Sequence, residues 1–334
     1  MRVERHVEAN DLVKTYPSDV RALDGLSIAI EPGEVFGLLG PNGAGKSTAI
    51  KILTTLARPD SGAASVAGHD VLRSPERVRR AIGVAAQRSG TDPTATGRDN
   101  LMLQGRLYGM GGSALRQRVA ELLDRFDLAD VADRVVRTYS GGTQRRLDVA
   151  LALVHRPQVL LLDEPTTGLD PEVRNVLWQE VGRLSGEGLT ILLTTHYLEE
   201  ADRLADRLAI VDKGRVVVEG TPNALKGELR GDAVHVELRN GSPEHDVRLA
   251  MLGVPGVREI AVDGHRLSAR ADDGAAAVPG VLFALDQAGV PVAAVTVARP
   301  SLDDVYLRHV GRRFAETVSD ATSRGAEAVQ GGIV

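Results

Sequence analysis

The tightest constraint on this chain is the stretch VFGLLGPNGAGKS at residues 35–47. Val35–Gly40 is a continuous apolar run that ends at turn residues, the pattern of a short buried strand. Gly40–Ser47 then fits G-x-x-x-x-G-K-[ST] in full, and a helix is expected from Lys46. Strand, glycine loop and helix in that order leave little choice of architecture. The glycines let the backbone curl until its N–H groups face one point, and the helix start adds partial positive charge there. Lys46 would reach the β- and γ-phosphates of a nucleotide, and the Ser47 hydroxyl would ligate Mg²⁺.

A phosphate cradle says only that a nucleotide binds. Leu160-Leu161-Leu162-Asp163-Glu164 narrows the chemistry. Asp163 ends an apolar strand, so its carboxylate is expected at the carboxyl edge of the sheet, where it can hold Mg²⁺ directly or through water. Glu164 follows and could polarise an attacking water, which favours hydrolysis over phosphoryl transfer to a hydroxyl. A third segment, YSGGTQRRLDVALAL at 139–153, sets Ser140, Gly141 and Gly142 before a helix. Leu147, Ala150, Leu151 and Val154 fall on one face of that helix at i, i+3, i+4 and i+7. By itself this segment also reads as a simple helix cap.

Strands are expected again at Ile82–Ala86, Val159–Leu162, Thr190–Thr194 and Leu208–Val211, apolar enough for a parallel sheet covered on both faces. Between about 88 and 140 the pattern turns helical. Thr96 to Asp99 has the form of a capping box, and Leu115–Leu128 keeps helical spacing. Near Gly220 the composition shifts, and a β-α-β-β-α-β order follows: strands at Ala233–Leu238, Val257–Val262, His265–Arg270 and Pro291–Val297, helices at Pro243–Leu252 and Gly274–Ala288. The hairpin is expected to turn on Asp263-Gly264, and the second helix to break or open at Pro279. This order suggests a small ferredoxin-like domain.

Composition removes several function classes. Aromatic residues are 3% of the chain and the formal net charge is −5, so no nucleic acid is expected as a partner. The chain has no Cys, which rules out disulfides and thiol chemistry and fits a reducing compartment. The N-terminal MRVERHVEANDLVKTYP has no apolar core of a signal peptide, and no run approaches the 18 apolar residues of a membrane span. A role at a membrane would need a partner. The 334 residues suit two domains, read as 1–225, with its helical insert at about 88–140, and 226–310, followed by a small, polar, disordered tail at 311–334.

GPNGAGKST, YSGGTQRRL, LLLDEPTTGLD and TTH occur in the order and approximate spacing of ATP-binding-cassette ATPases, which residues 8–225 resemble. The resemblance implies an α/β P-loop NTPase cassette with a parallel sheet core, N-terminal antiparallel strands and a helical insert. It implies ATP and Mg²⁺ as cofactors, with Gly40, Asn42, Gly43, Gly45, Lys46, Ser47 and Thr48 around the phosphates. Tyr16 resembles the aromatic that stacks on adenine. Gln87 resembles the glutamine that contacts Mg²⁺ or the water. Asp170 resembles the loop aspartate that communicates across a dimer, and His196 the switch histidine that senses the γ-phosphate. Glu164 would be the general base. Ser140, Gly141 and Gly142 would complete the nucleotide site of a second subunit, in a homodimer that traps two ATP molecules. The family commonly has Leu and Gln where this chain has Tyr139 and Thr143. Pro300–Leu307 (PSLDDVYL) also resembles the ending of daunorubicin-resistance-type subunits, which pair with a separate integral membrane permease. The same octapeptide reads as a capped helix. The resemblance implies the peripheral ATPase subunit of a multidrug-type exporter, at the cytoplasmic face of the membrane. The other readings are a cassette ATPase acting on nucleic acid or ribosomes, and a subunit for import or for lipid export.

Overall fold

Five strands with parallel neighbours place the functional loops side by side. The computed structural model describes residues 5–17, 19–229, 231–239 and 243–310; the tail expected from residue 311 lies outside them. The elements up to residue 220 are β1 (Val7–Tyr16), β2 (Val20–Ile30), β3 (Val35–Leu39), α1 (Lys46–Leu53), β4 (Ser61–Val66), β5 (His69–Asp70), α2 (Pro75–Ala81), β6 (Ile82–Ala85), α3 (Gly97–Leu107), α4 (Gly112–Arg125), α5 (Gly141–Ala152), β7 (Val159–Asp163), α6 (Pro171–Gly186), β8 (Thr190–Thr195), α7 (Leu198–Leu204), β9 (Arg207–Asp212) and β10 (Arg215–Gly220).

The main sheet has the order β10-β9-β3-β8-β7-β6. Neighbours from β9 to β6 pair in parallel, and β10 returns antiparallel to β9. Every residue of β3, β7 and β8 is buried, which is why these strands read as unbroken apolar runs. Because the strands are parallel, the chain leaves β3, β6, β7 and β8 at one edge. The glycine loop, Gln87, Glu164 and His196 therefore share a rim by topology alone. A second, antiparallel sheet of order β2-β1-β4-β5 packs with α1 over one face, around Leu12, Leu23, Leu26, Phe36, Ile52 and Leu53. The other face carries α3 to α6, around Leu101, Leu122, Leu147, Leu160 and Leu177.

Within the helical insert, Thr96 caps α3 through its hydroxyl, a variant of the expected box in which Asp99 meets that hydroxyl. Its Oγ1 accepts from Asp99 N at 3.0 Å and donates to Asp99 Oδ2 at 2.7 Å. The helix expected at Leu115–Leu128 ends instead at Arg125, because Asp127 turns left-handed at φ 51°. Leu128 is still fully buried, so its apolar spacing reflects packing beyond the helix end.

A second compact unit begins at Asn223. After α8 (Pro222–Gly227) come β11 (Asp232–Leu238), α9 (Glu244–Leu252), β12 (Val257–Asp263), β13 (Arg266–Ala271), α10 (Gly274–Gln287), β14 (Val292–Ala298) and α11 (Leu302–Val310). The four strands form an antiparallel sheet of order β12-β13-β11-β14, the ferredoxin-like arrangement. Two expectations need correction. Asp263 pairs with Arg266, so the hairpin turns on Gly264-His265, with Gly264 at φ 52°. Pro279 does not break α10. It is exposed, as is Ala275 one turn earlier, so the carbonyl it leaves unbonded can turn to water. At α11, Ser301 Oγ accepts from Asp304 N at 3.3 Å and donates to Asp304 Oδ2 at 2.7 Å, a capped start.

Candidate active site

A cleft of about 570 Å³ lies along the shared rim. Its floor is Asn42, Gly43, Gly45, Lys46, Ser47 and Thr48. Tyr16, Val20 and Arg21 form one wall, and Gln87, Glu164, Thr167 and His196 contribute to the rest. Gly40 and Asp163 are buried and do not line the cleft, yet both bond to residues that do. Gly45 sits at φ 108°, and a Cβ on it would meet Ala22 O at 2.4 Å, so conformation and space both require glycine there. It is also the N-cap of α1 and makes no side-chain cap bond. The first N–H groups of that helix are thereby left for an anion.

Lys46 folds back over its own loop, donating from Nζ to Gly40 O at 2.7 Å and Pro41 O at 3.1 Å. Nζ also stands 3.4 Å from Glu164 Oε1. Burial pulls this ammonium below the usual lysine range, against the pull of Glu164 and Asp163. Asp163 Oδ1 accepts from Thr194 Oγ1 at 2.6 Å and from Ser47 Oγ at 3.3 Å. Glu164 adopts a left-handed φ of 48°. Its N–H is fixed by both Thr194 O (3.1 Å) and Thr194 Oγ1 (3.0 Å). Its carboxylate receives Thr167 Oγ1 at 3.3 Å and, weakly, Gln87 Nε2 at 3.5 Å. His196 Nδ1 lies 3.3 Å from Glu164 Oε2 but off the angle of a hydrogen bond, and this buried nitrogen has no hydrogen-bond partner. The contact is one of charge proximity rather than a directed bond. Burial alone would raise the Glu164 carboxyl; His196 and Lys46 outweigh it and hold the group below its ordinary value.

The residues fit a magnesium–nucleotide pair. Ser47 and Asp163 present oxygens side by side at the end of the cradle, the donor type that Mg²⁺ takes. Among the described residues no group of three or more His, Cys, Asp or Glu could hold a metal. The remaining ligands would be phosphate oxygens and water.

Ser140, Gly141 and Gly142 do not line this cleft. Ser140 is the exposed N-cap of α5, accepting from Thr143 N at 3.2 Å, with its Oγ 2.8 Å from Thr143 Oγ1. A Cβ on Gly141 would meet nothing within 4 Å, whereas one on Gly142 would meet Val173 Cγ1 at 2.6 Å. Gly142 therefore serves packing against α6 inside the same chain, a constraint separate from approach to a phosphate. Tyr139 has its own partner, donating from its hydroxyl to Val131 O at 2.6 Å. Asp170, exposed, caps α6 by accepting from Val173 N at 2.9 Å. Helix α5 is buried more widely than one apolar stripe: Arg145, Asp148, Val149 and Ala152 are buried along with Leu147 and Ala150, while Leu151 is only half-buried.

Sequence reasoning missed Thr194, Thr167 and Arg145. Thr194 had a signal, a hydroxyl inside an otherwise apolar strand. So did Arg145, a cation sharing a stripe with Val149 and Ala152 at i+4 and i+7. Thr167 had none.

A mostly parallel sheet with this cradle, a strand-end Asp-Glu pair and an N-terminal antiparallel sheet define a P-loop ATPase of the cassette class. Residues 23–167 match the ABC transporter family, and residues 220–310 match the C-terminal domain of DrrA1-3-like ATP-binding proteins. The chain is 49% identical over 300 residues to the daunorubicin resistance ATP-binding protein DrrA3 of Streptomyces coeruleorubidus, covering 89% of this chain and 94% of that one. It is 46% identical over 310 residues to the daunorubicin/doxorubicin resistance ATP-binding protein DrrA of Streptomyces peucetius, covering 92% and 93%. Among solved structures, the dimeric post-hydrolysis state of the ATP-binding cassette MJ0796, bound to ADP and Pi, aligns with a TM-score of 0.60 at 28% identity, covering 64% of this chain and 98% of that one. The chain belongs to the ATP-binding subunits of ABC transporters, in the daunorubicin-resistance (DrrA) type, and is an ATPase.

Proposed function

We propose that this chain is the motor of a multidrug-type exporter. Two copies close around two MgATP, and hydrolysis reopens them while a separate integral membrane permease moves the cargo. The chain would work as a peripheral subunit on the cytoplasmic face. One observation carries this reading: Lys46, Gln87, Glu164 and His196 line one cleft, with Asp163 bonded to its Ser47, while the Ser140 tip does not. A tip built to grip a phosphate, but absent from its own chain's cleft, has its use in a second copy. The dimeric state of the similar cassette MJ0796 supports the same arrangement.

The roles follow from position. Tyr16, on the cleft wall, would stack on the base. The loop amides of Gly40 to Gly45 and Lys46 would take the phosphates, together with Asn42 and Thr48. Ser47 and Asp163, with Gln87 nearby, would hold Mg²⁺, which supplies charge neutralisation of the phosphates when bound. Glu164 would take a proton from the attacking water, with its carboxylate kept ionised by Lys46 and His196. His196 would offer its free Nδ1 side of the ring to the reacting centre. Ser140, Gly141 and Asp170 would serve the partner's nucleotide across the interface.

Among the described residues no helix is long and apolar enough to cross a membrane, and the reading gives that task to the permease. Similarity to drug-resistance ATP-binding proteins over about nine-tenths of the chain favours drug export over lipid transport, import or action on nucleic acid. The Glu164→Gln protein is expected to bind ATP, accumulate as an ATP-dependent dimer and lose turnover; wild-type turnover would remove Glu164 as the base. For the second unit, the reading is dimer support or regulation. A chain ending near residue 225 should then dimerise or couple more weakly while still binding MgATP, and unchanged dimer affinity and transport would refute it.

A further inference from the structure

The geometry points to Arg145 as a positioning residue that ties the tip of α5 to both Glu164 and Gln87. Arg145 is only 8% exposed, and its guanidinium donates to main-chain carbonyls throughout. Nε reaches Pro165 O at 2.8 Å, and Nη2 reaches Asp163 O at 3.1 Å. Nη1 reaches Ala86 O at 2.5 Å, and Nη2 also approaches Ala85 O at 3.5 Å. Two of these carbonyls stand immediately before and after Glu164. The other two lead into Gln87. One planar fork thus spans the carboxyl ends of the neighbouring strands β6 and β7, a task its fixed donor geometry suits.

Because every acceptor is backbone, Arg145 sets where the chain turns rather than which side chain it meets. That matters most at Glu164, whose left-handed φ of 48° persists only where the surroundings over-determine it. Arg145 holds the carbonyls on both sides of it, and Thr194 holds its N–H. The same helix grips the Gln87 segment twice more. Asp148 Oδ1 accepts from Ser89 Oγ at 2.6 Å, and Gln144 Nε2 donates to Thr91 Oγ1 at 3.3 Å. Arg145 lies little more than one turn from Ser140, within the same helix. A displacement of the tip, when a partner's nucleotide engages it, therefore reaches the carbonyls around Glu164 and before Gln87 through a rigid helix and a single side chain. This inference rests on the proposed roles of Glu164, Gln87 and Ser140.

The test uses the full chain with Arg145→Met and Arg145→Lys, measured alongside Gln87→Ala and Glu164→Gln. In folded Arg145→Met, kcat is expected to fall on the order of 10²-fold, the cost of misplacing catalytic groups by about 1 Å. KM and the affinity for a fluorescent ATP analogue should stay within about threefold, since the cradle is untouched. Arg145→Lys, with its charge but not its fork, should fall between the two, and it carries the test if the Met variant does not fold. Combined with Gln87→Ala, the losses should be less than multiplicative, because both act through one segment. The inference is overturned if a folded Arg145 variant keeps kcat within about twofold of wild type, or if its loss multiplies fully with that of Gln87→Ala. Full turnover by Glu164→Gln would instead sink the reading beneath it.

Discussion

Thr194→Val removes one hydroxyl from the wall behind the cleft and changes almost nothing else. Thr194 is fully buried, and Asp163 is 7% exposed. The hydroxyl donates to Asp163 Oδ1 at 2.6 Å and accepts from Glu164 N at 3.0 Å. Val fills nearly the same volume, so the cavity contribution is close to nil and the loss is that of the hydrogen bonds. A bond to an ionised group contributes about 1.5–3 kcal/mol, and the carboxylate left behind keeps only the longer Ser47 contact. The second loss is smaller, since Glu164 N–H retains Thr194 O at 3.1 Å. The net cost is about 2–3 kcal/mol, a drop of roughly 4–12 °C in Tm for a unit of this size. Trp178 is the only tryptophan in the chain and sits buried in α6, so its fluorescence in urea follows the cassette and not the second unit. The midpoint should fall with an unchanged m-value. Thr194→Ser, which keeps the hydroxyl, should lose clearly less. A Val variant within about 0.5 kcal/mol of wild type, or a Ser variant as unstable as Val, would refute the reasoning.

Two further outcomes follow from neighbouring contacts. Gly142→Ala should cost about 1–3 kcal/mol by overpacking against Val173, with Val173→Ala restoring much of the stability by Trp178 fluorescence; a strictly additive double mutant would rule the clash out. Glu164 has a folded pKa below its ordinary value, so its contribution is present above about pH 4.3 and is lost as pH falls through the lower folded value. The acid limb of apo stability should therefore be shallower in Glu164→Gln, and identical limbs in urea titrations from about pH 5 to 3 would contradict the assigned contacts.

Much of this molecule was legible in its sequence because its central strands are buried on both faces. VFGLL, VLLLD and TILLTT lead directly into Gly40, Glu164 and His196, so each apolar run delivers its loop to the rim. Parallel pairing then does the rest, since strands that end together deliver their loops together. Lys46, Asp163, Glu164 and His196 could be placed for that reason. What stayed hidden were residues whose partners are backbone atoms of distant segments. Periodicity on α5 sets Arg145 on a stripe with Val149 and Ala152, but nothing local announces that carbonyls 59 and 20 residues away converge on it. Asp263-Gly264 likewise has the composition of a hairpin turn, yet the register of β12 on β13 moves the turn one residue on.

The departures at Tyr139 and Thr143 illustrate how local composition and tertiary contact divide the work at the α5 tip. Tyr139 lies where the family commonly has Leu, and its hydroxyl reaches Val131 O while a Cβ on Gly97 would meet that hydroxyl at 2.4 Å. The tip is thereby tied to the segment at Val131, and the Tyr139 hydroxyl packs against Gly97 at the start of α3. Thr143 stands where Gln is common, and its Oγ1 lies 2.8 Å from Ser140 Oγ. Tyr139 adds a contact beside the tip, and Thr143 adds one to the Ser140 hydroxyl itself. The proposed grip on an opposing phosphate would use the Ser140 hydroxyl, whose position is set here by a neighbour that differs from the common pattern. In the proposed arrangement the flanking residues tune how rigidly the tip is presented, while the serine and the open face at Gly141 would meet the phosphate.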